Sequence, residues 1–197
     1  VGTFTVSQAN FLGTGSNIST SVSTGDLNSI YSLSFTDPYY TEDGVSRGWS
    51  VYKKSVDTAG QLDSTAKYKT SSYGAGVNFG VPISEYDTVT VGTLLDITEL
   101  ELGATAPSGY RQYCDSTGST GTTCDTSSWL FYAGYTEDTR DNLIFPTKGK
   151  KLAFTFDMTA PLLDVKYYAA GGSYEKFTPL TDKVTTRVST HLAYTDA

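Results

Sequence analysis

Three observations on the sequence predict an all-β fold, an antiparallel transmembrane β-barrel wall of about ten strands forming a partial or minimal barrel. Apolar residues alternate with hydroxyl residues and glycines in segment after segment, with no helical interlude, so each strand has one greasy and one wet face. Several of these segments run to about 9–11 residues, the length a tilted strand needs to cross an outer membrane. Their connections alternate between compact turns, rich in Gly, Pro, Asp and Asn, and a second class that includes two long polar loops. One short rim and one long rim is how outer-membrane-type barrels are built.

Composition is consistent with that fold and removes others. A chain of 197 residues is long enough for one all-β domain. No apolar run approaches the roughly 18 residues of a spanning helix, which excludes a helical membrane protein. A mean hydropathy of −0.25 does not exclude a barrel, whose alternation dilutes hydropathy. Fifteen Tyr, nine Phe and two Trp suit a protein that places rings at a water–lipid boundary. A net charge of −7 argues against nucleic acid, which requires clustered Lys and Arg.

The first strand is expected near 3–11, reversed by FLGTGSN into a second near 16–24. The third, near 28–36, sets Tyr31, Leu33 and Phe35 against Ser32, Ser34 and Thr36 before breaking at TDPYYTEDG. A fourth follows near 45–54, then a long polar loop over 55–71. The fifth, near 72–81, has the strongest alternation: Tyr73, Ala75, Val77, Phe79 and Val81 oppose Gly74, Gly76, Asn78 and Gly80. PISEYD turns into a sixth near 88–98, and a second long loop, 99–127, leads to a seventh near 128–138. After TRDNLIFPTKG, the eighth (150–160) sets Leu152, Phe154, Phe156 and Met158 against Lys151, Ala153, Thr155 and Asp157. A ninth near 163–174 ends at FTPLTD, and the tenth, 183–195, opposes Val184, Val188, Leu192 and Tyr194 to Lys183, Arg187 and His191. Charges on the wet face would cost several kcal/mol if left unpaired in a dry core. A soluble β-sandwich also alternates, with its apolar faces packed together. Strand length, glycine on the polar face and aromatic turns favour the membrane wall.

Four stretches, NFLGTG (10–15), YSLSFTDPYYTEDGVSRG (31–48), SYGAGVNFGVPISEYD (72–87) and DTRDNLIFPTKG (138–149), resemble the barrel domain of the BamA family of outer-membrane barrel-assembly insertases. Their order and spacing agree with that family, and weaker similarity extends over essentially the whole chain. The resemblance implies a larger barrel in the outer membrane of a Gram-negative bacterium. That barrel contacts the lipid bilayer, unfolded outer-membrane protein clients and assembly lipoproteins. It folds and inserts the clients by strand templating and local bilayer thinning at an unstable seam, with no bond chemistry and no cofactor. It also implies that the compact turns lie on the periplasmic rim, with Gly13, Gly15, Asp37, Pro38, Tyr39, Tyr40, Gly44, Arg140, Phe145, Pro146 and Gly149 as its rim motif. By motif alignment Val1 falls in the family's second strand and Ala197 near the end of its eleventh. The first and last strands, the periplasmic docking domains and a Val-Arg-Gly-Phe loop motif are therefore expected to be missing. The alternatives are a passive pore on the same wall, or an engineered minimal barrel closed on itself.

Few residues suggest chemistry. Cys114 and Cys124 bracket a loop of small polar residues, and a disulfide there, worth at most about 3 kcal/mol, is favoured over a metal site with too few soft ligands. Arg140 stands among Glu137, Asp138 and Asp141, where rim ion pairs contribute about 0–1 kcal/mol; the resemblance adds contact with a lipid phosphate or a partner. His191 is the only histidine and reads as lumen lining, with no inferable Ser-His-Asp arrangement. Glu99 and Glu101 share a strand face but are disfavoured as a glycosidase pair. Tyr39, Tyr40, Trp49 and Tyr86 read as an aromatic girdle. Arg47 shares the face of Trp49 and is expected near the interface, where its cost is about 0–1 kcal/mol instead of about 2–4 at the midplane. GTG at 13–15 and GSTG at 118–121 lack the lysine of a phosphate loop.

Overall fold

The period-two pattern yields ten strands, each hydrogen-bonded antiparallel to its neighbours in sequence: β1 (Gly2–Gln8), β2 (Asn17–Thr24), β3 (Asn28–Asp37), β4 (Ser46–Asp57), β5 (Tyr68–Pro82), β6 (Asp87–Leu102), β7 (Thr123–Asp138), β8 (Gly149–Thr159), β9 (Tyr168–Thr181) and β10 (Val184–Asp196). The computed structural model describes residues 2–58, 67–116, 122–181 and 183–196. GSTG at 118–121 lies outside the described residues. The sheet runs in chain order from β1 to β10 and is open, with β1 and β10 as unpaired edges.

Register carries the two faces across the sheet. Val81 lies opposite Val89, Val89 opposite Tyr135, Tyr135 opposite Phe154, and Phe154 opposite Gly172. On the other flank Val22 faces Tyr31, Tyr31 faces Lys53, Lys53 faces Tyr73 and Tyr73 faces Ile97. Directly opposed residues share a face, so the apolar sets join into one surface. Nothing covers that surface: Leu95 is 43% exposed, Phe156 45% and Phe154 52%. Among the described residues, every extensive strand-to-strand contact runs between sequence neighbours. The sandwich alternative fails on this point, because among the described residues no second sheet packs on Phe154 or its companions.

The opposite face has shape as well as polarity. Gly74 and Gly92 lie opposite Tyr52 and Tyr132, whose rings occupy the space a Cβ would need. An aromatic ring lying over a cross-strand glycine repairs the packing the glycine lacks. The Tyr52 hydroxyl then reaches past β5 and donates to Asp96 Oδ2 on β6, while Thr98 donates to Asp96 Oδ1 at 2.8 Å.

The described residues hold one small buried core, formed by Leu100, Cys114 and Cys124 with Tyr68 and Leu102 against them. It exists because a helix, α1 (Ser108–Ser116), docks on the wet face at the long-loop rim. This helix departs from the sequence expectation, as do several strand bounds. β5 starts at Tyr68, β6 runs to Leu102 and β7 starts at Thr123, so both long loops are shorter than expected. β9 is displaced: residues 160–165 bond back to β7, Ala160 N–H to the Trp129 carbonyl (2.8 Å) and Val165 N–H to that of Ser127 (3.3 Å). FTPLTD, expected as a turn, continues β9 to Thr181, with Pro179 opposite Thr185 beside a register shift where a missing N–H is tolerated. β1 stops at Gln8 because Asn10 and Leu12 take positive φ.

Candidate functional site at the compact-turn rim

Each compact turn is fixed by its own polar residues. In the first, Asn10 Oδ1 accepts from Gly15 N–H at 2.7 Å, Phe11 N–H bonds to the Ser16 carbonyl at 2.7 Å, and Gly13 and Gly15 take φ of 77° and 79°. In the second, Asp37 Oδ1 accepts from Tyr39 N–H at 3.2 Å, Tyr40 N–H bonds to the Val45 carbonyl at 2.9 Å, and Gly44 closes the turn at φ 80°. Pro38 supplies the fixed φ between them. In the third, Ser84 donates to Asp87 Oδ2 while Tyr135 donates to Asp87 Oδ1 at 2.7 Å.

The 139–148 turn is built most heavily. Arg140 grips Asp138 through two bonds, Nε to Oδ1 at 2.8 Å and Nη2 to Oδ2 at 2.6 Å, with its side chain only 14% exposed. Its guanidinium is therefore a clamp on the turn. Glu137, its expected neighbour, pairs with Lys150 at 2.8 Å. Asp141 accepts from Thr147 N–H (2.9 Å), Thr147 Oγ1 (2.5 Å) and Lys148 N–H (3.1 Å), and these donors pull its carboxyl down to about 2. Asn142 Oδ1 accepts from Ile144 and Phe145 N–H at 2.8 and 3.0 Å. Gly149 leaves the turn at φ 102°.

With their polar groups turned inward on themselves, these turns present apolar tips: Leu12, Tyr39, Ile83, Leu143, Ile144 and Phe145 are all more than 60% exposed. Tyr39 and Phe145 belong to the motif carried by the sequence, whereas nothing in the sequence marks Leu12, Ile83, Leu143 and Ile144, whose exposure follows from turns that bond their own polar groups. Tyr40 leaves the tip and folds onto the lipid-facing surface, over the Arg47 guanidinium (4.0 Å to the ring centroid) and beside Phe79 (6.4 Å). Trp49 stacks on Phe35 at 5.7 Å.

At the opposite rim, Cys114 and Cys124 form the expected disulfide, Cα atoms 5.5 Å apart, which ties α1 to β7. Tyr110 packs tilted against Tyr68, ring centroids 5.0 Å apart, and a side-chain hydrogen bond with Tyr68 raises the Tyr110 phenol above its ordinary value. Beneath α1 lies a cavity of about 640 Å³ lined by Asp96, Thr98, Leu100, Tyr110 and Tyr113 among others. Asp164 accepts from Ser127 N–H (2.8 Å) and Oγ (2.9 Å), which lowers its carboxyl. Glu101 faces Lys69, Nζ to Oε1 3.4 Å, near the long-loop end of β5 and β6. His191 lies on the wet face with Arg187, which pairs with Glu175.

This geometry matches known proteins closely enough to place the chain. The model of the Omp85 superfamily domain matches residues 10–196. The chain belongs to the Omp85 superfamily. Among Omp85 proteins it is similar to the outer membrane protein assembly factor BamA of Neisseria meningitidis serogroup B, with 34% identity over 183 residues. That alignment covers 91% of this chain and 23% of the relative. It is similar also to the crystal structure of BamA from Haemophilus ducreyi lacking POTRA domains 1–3, with TM-score 0.82 and 25% identity over 99% of this chain and 38% of that one. The chain thus spans less than half the length of the proteins it resembles. The family resemblance read from the four motifs stands, as do the antiparallel barrel wall and the Gram-negative outer membrane as its place.

Proposed function

We propose that these ten strands are the wall of an outer-membrane protein assembly factor that folds and inserts β-barrel clients into the bilayer. The observation that carries this reading is the conjunction of an uncovered apolar sheet face with similarity to BamA over nearly the whole chain. In this reading the compact rim faces the periplasm, and its apolar tips, Leu12, Tyr39, Ile83 and Leu143 to Phe145, meet unfolded client segments or assembly lipoproteins. The strands correspond to the second to eleventh of the family's barrel. Strand templating then acts at an edge, where unpaired N–H and C=O groups accept an incoming strand, and a locally thinned bilayer lowers the cost of insertion. Only binding and pairing are required of the side chains.

The test is reconstitution of the full-length protein in liposomes, scoring client folding by heat-modifiable gel migration beside planar-bilayer conductance. Accelerated client folding supports the assembly reading. A steady open conductance without client folding identifies a passive pore instead.

A further inference from the structure

We propose that Arg47, seated on Tyr40, is a binding site for the phosphate of a membrane phospholipid headgroup at the compact-turn edge of the lipid-facing belt. Arg47 lies opposite Asp37 on β3 and Phe79 on β5, so it shares the apolar face. The other three arginines each use the guanidinium on a protein acceptor: Arg111 on the Ala104 carbonyl, Arg140 on Asp138, Arg187 on Glu175. Arg47 has no hydrogen bond and no ion pair among the described residues, and its Nε is shielded and unpartnered. Asp37, the nearest carboxylate in register, turns Oδ1 to the Tyr39 N–H. Among the described residues the guanidinium is held by the Tyr40 face, 4.0 Å to the centroid. A cation fixed by a ring at its face, with Nε shielded, keeps its terminal Nη donors free for an oxyanion.

The depth of Arg47 specifies the ligand. On the same face of β4, Lys53 sits over the Tyr73 ring at 5.0 Å, with Trp49 and Val51 between the two cations. Six residues at about 3.3 Å, tilted about 40°, separate the two Cα atoms by roughly 15 Å along the membrane normal, less than the roughly 25 Å apolar band. Centred on the band, both Cα atoms start about 5 Å inside its edges, and their side chains extend outward to where the phosphates of a bilayer lie. A phosphodiester matches the guanidinium edge in charge and bidentate geometry. Phe35, Trp49 and Phe79 flank it as the surface on which the acyl chains rest.

This proposal rests on the outer-membrane placement, and the test separates the two. In the full-length protein with every tryptophan but Trp49 changed to Phe, Trp49 fluorescence is quenched by brominated phosphatidylglycerol or by brominated diacylglycerol with the same chains. The expected preference for the phosphate-bearing lipid is about fivefold, falling to within about twofold in Arg47→Gln. Heat-modifiable migration checks that the variant is folded; should it fail to fold, Arg47→Lys and Tyr40→Leu are each expected to weaken the preference. Equal quenching by the two lipids in the parent protein, or an unchanged preference in the variants, overturns the site. Loss of the preference on adding inorganic phosphate overturns it in favour of a free-phosphate site. Absence of quenching by either lipid overturns the membrane placement itself.

Discussion

Gly149 has φ 102°, and a Cβ on it would run into the Thr139 carbonyl oxygen and the Arg140 Cα. Both are backbone atoms of the clamped turn and cannot move aside, so Gly149→Ala is expected to cost about 2 kcal/mol or more. Denaturant titration of the folded barrel measures it, against Gly13→Ala, where φ is also positive but nothing lies within 4 Å and about 1 kcal/mol is expected. Asp141 predicts the pH response of the same turn. Its folded value of about 2 lies below the ordinary 3.8, so its contribution is fully present above about pH 4 and is lost as pH falls through 2. Amide resonances of Thr147 and Lys148 followed by NMR are expected to titrate with a midpoint near 2. A midpoint near 4 would mean that the three donor bonds do not form. Asp141→Asn should abolish the titration.

Helix α1 is the element least visible in the sequence. Ser108–Ser116 reads SGYRQYCDS, which has no helical apolar stripe long enough to distinguish it from a polar loop. Its stability comes from tertiary contacts: the tilted Tyr110–Tyr68 ring pair and the disulfide to Cys124. Strands β3, β5 and β8 were legible because one face meets a single medium along its whole length, so alternation is uninterrupted. β9 was not placed correctly, since residues 160–165 bond to the projecting end of β7, a partner that periodicity cannot reveal. At the candidate site, the turn glycines and Asp37 were legible through backbone chemistry. The Tyr40–Arg47 contact was not, because the turn must fold back before the ring meets the cation. Cys114→Ser with Cys124→Ser is expected to raise hydrogen exchange over 108–116 about tenfold or more while β6 and β7 stay protected, with a global loss of at most about 3 kcal/mol. Unchanged exchange in α1 would show that Tyr110 and the loop alone hold it.

For the whole molecule the decisive quantity is which medium covers each face. Thr155 and Phe156 are adjacent on β8, exposed to similar degree, and directed to opposite sides, Thr155 toward Gly171 and Gly134, Phe156 toward Ala133 and Ala170. If hydrocarbon covers the Phe156 side, Phe156→Arg places a charge in the apolar band and costs about 2–4 kcal/mol, while Thr155→Arg on the wet side stays within about 0.5 kcal/mol. A water-soluble sheet with both faces wet would show no such asymmetry. Two polar groups on the lipid side satisfy each other there: Trp129 donates its indole N–H to Thr93 at 2.7 Å, and Thr93 donates to the Leu130 carbonyl at 3.0 Å. Arg47, proposed at the edge of the belt, sits where an arginine costs about 0–1 kcal/mol. Folding titrations of the two β8 variants in phospholipid vesicles measure the asymmetry directly. Equal costs at 155 and 156 would remove the hydrocarbon from the argument, and with it the reason for an exposed apolar face spanning ten strands.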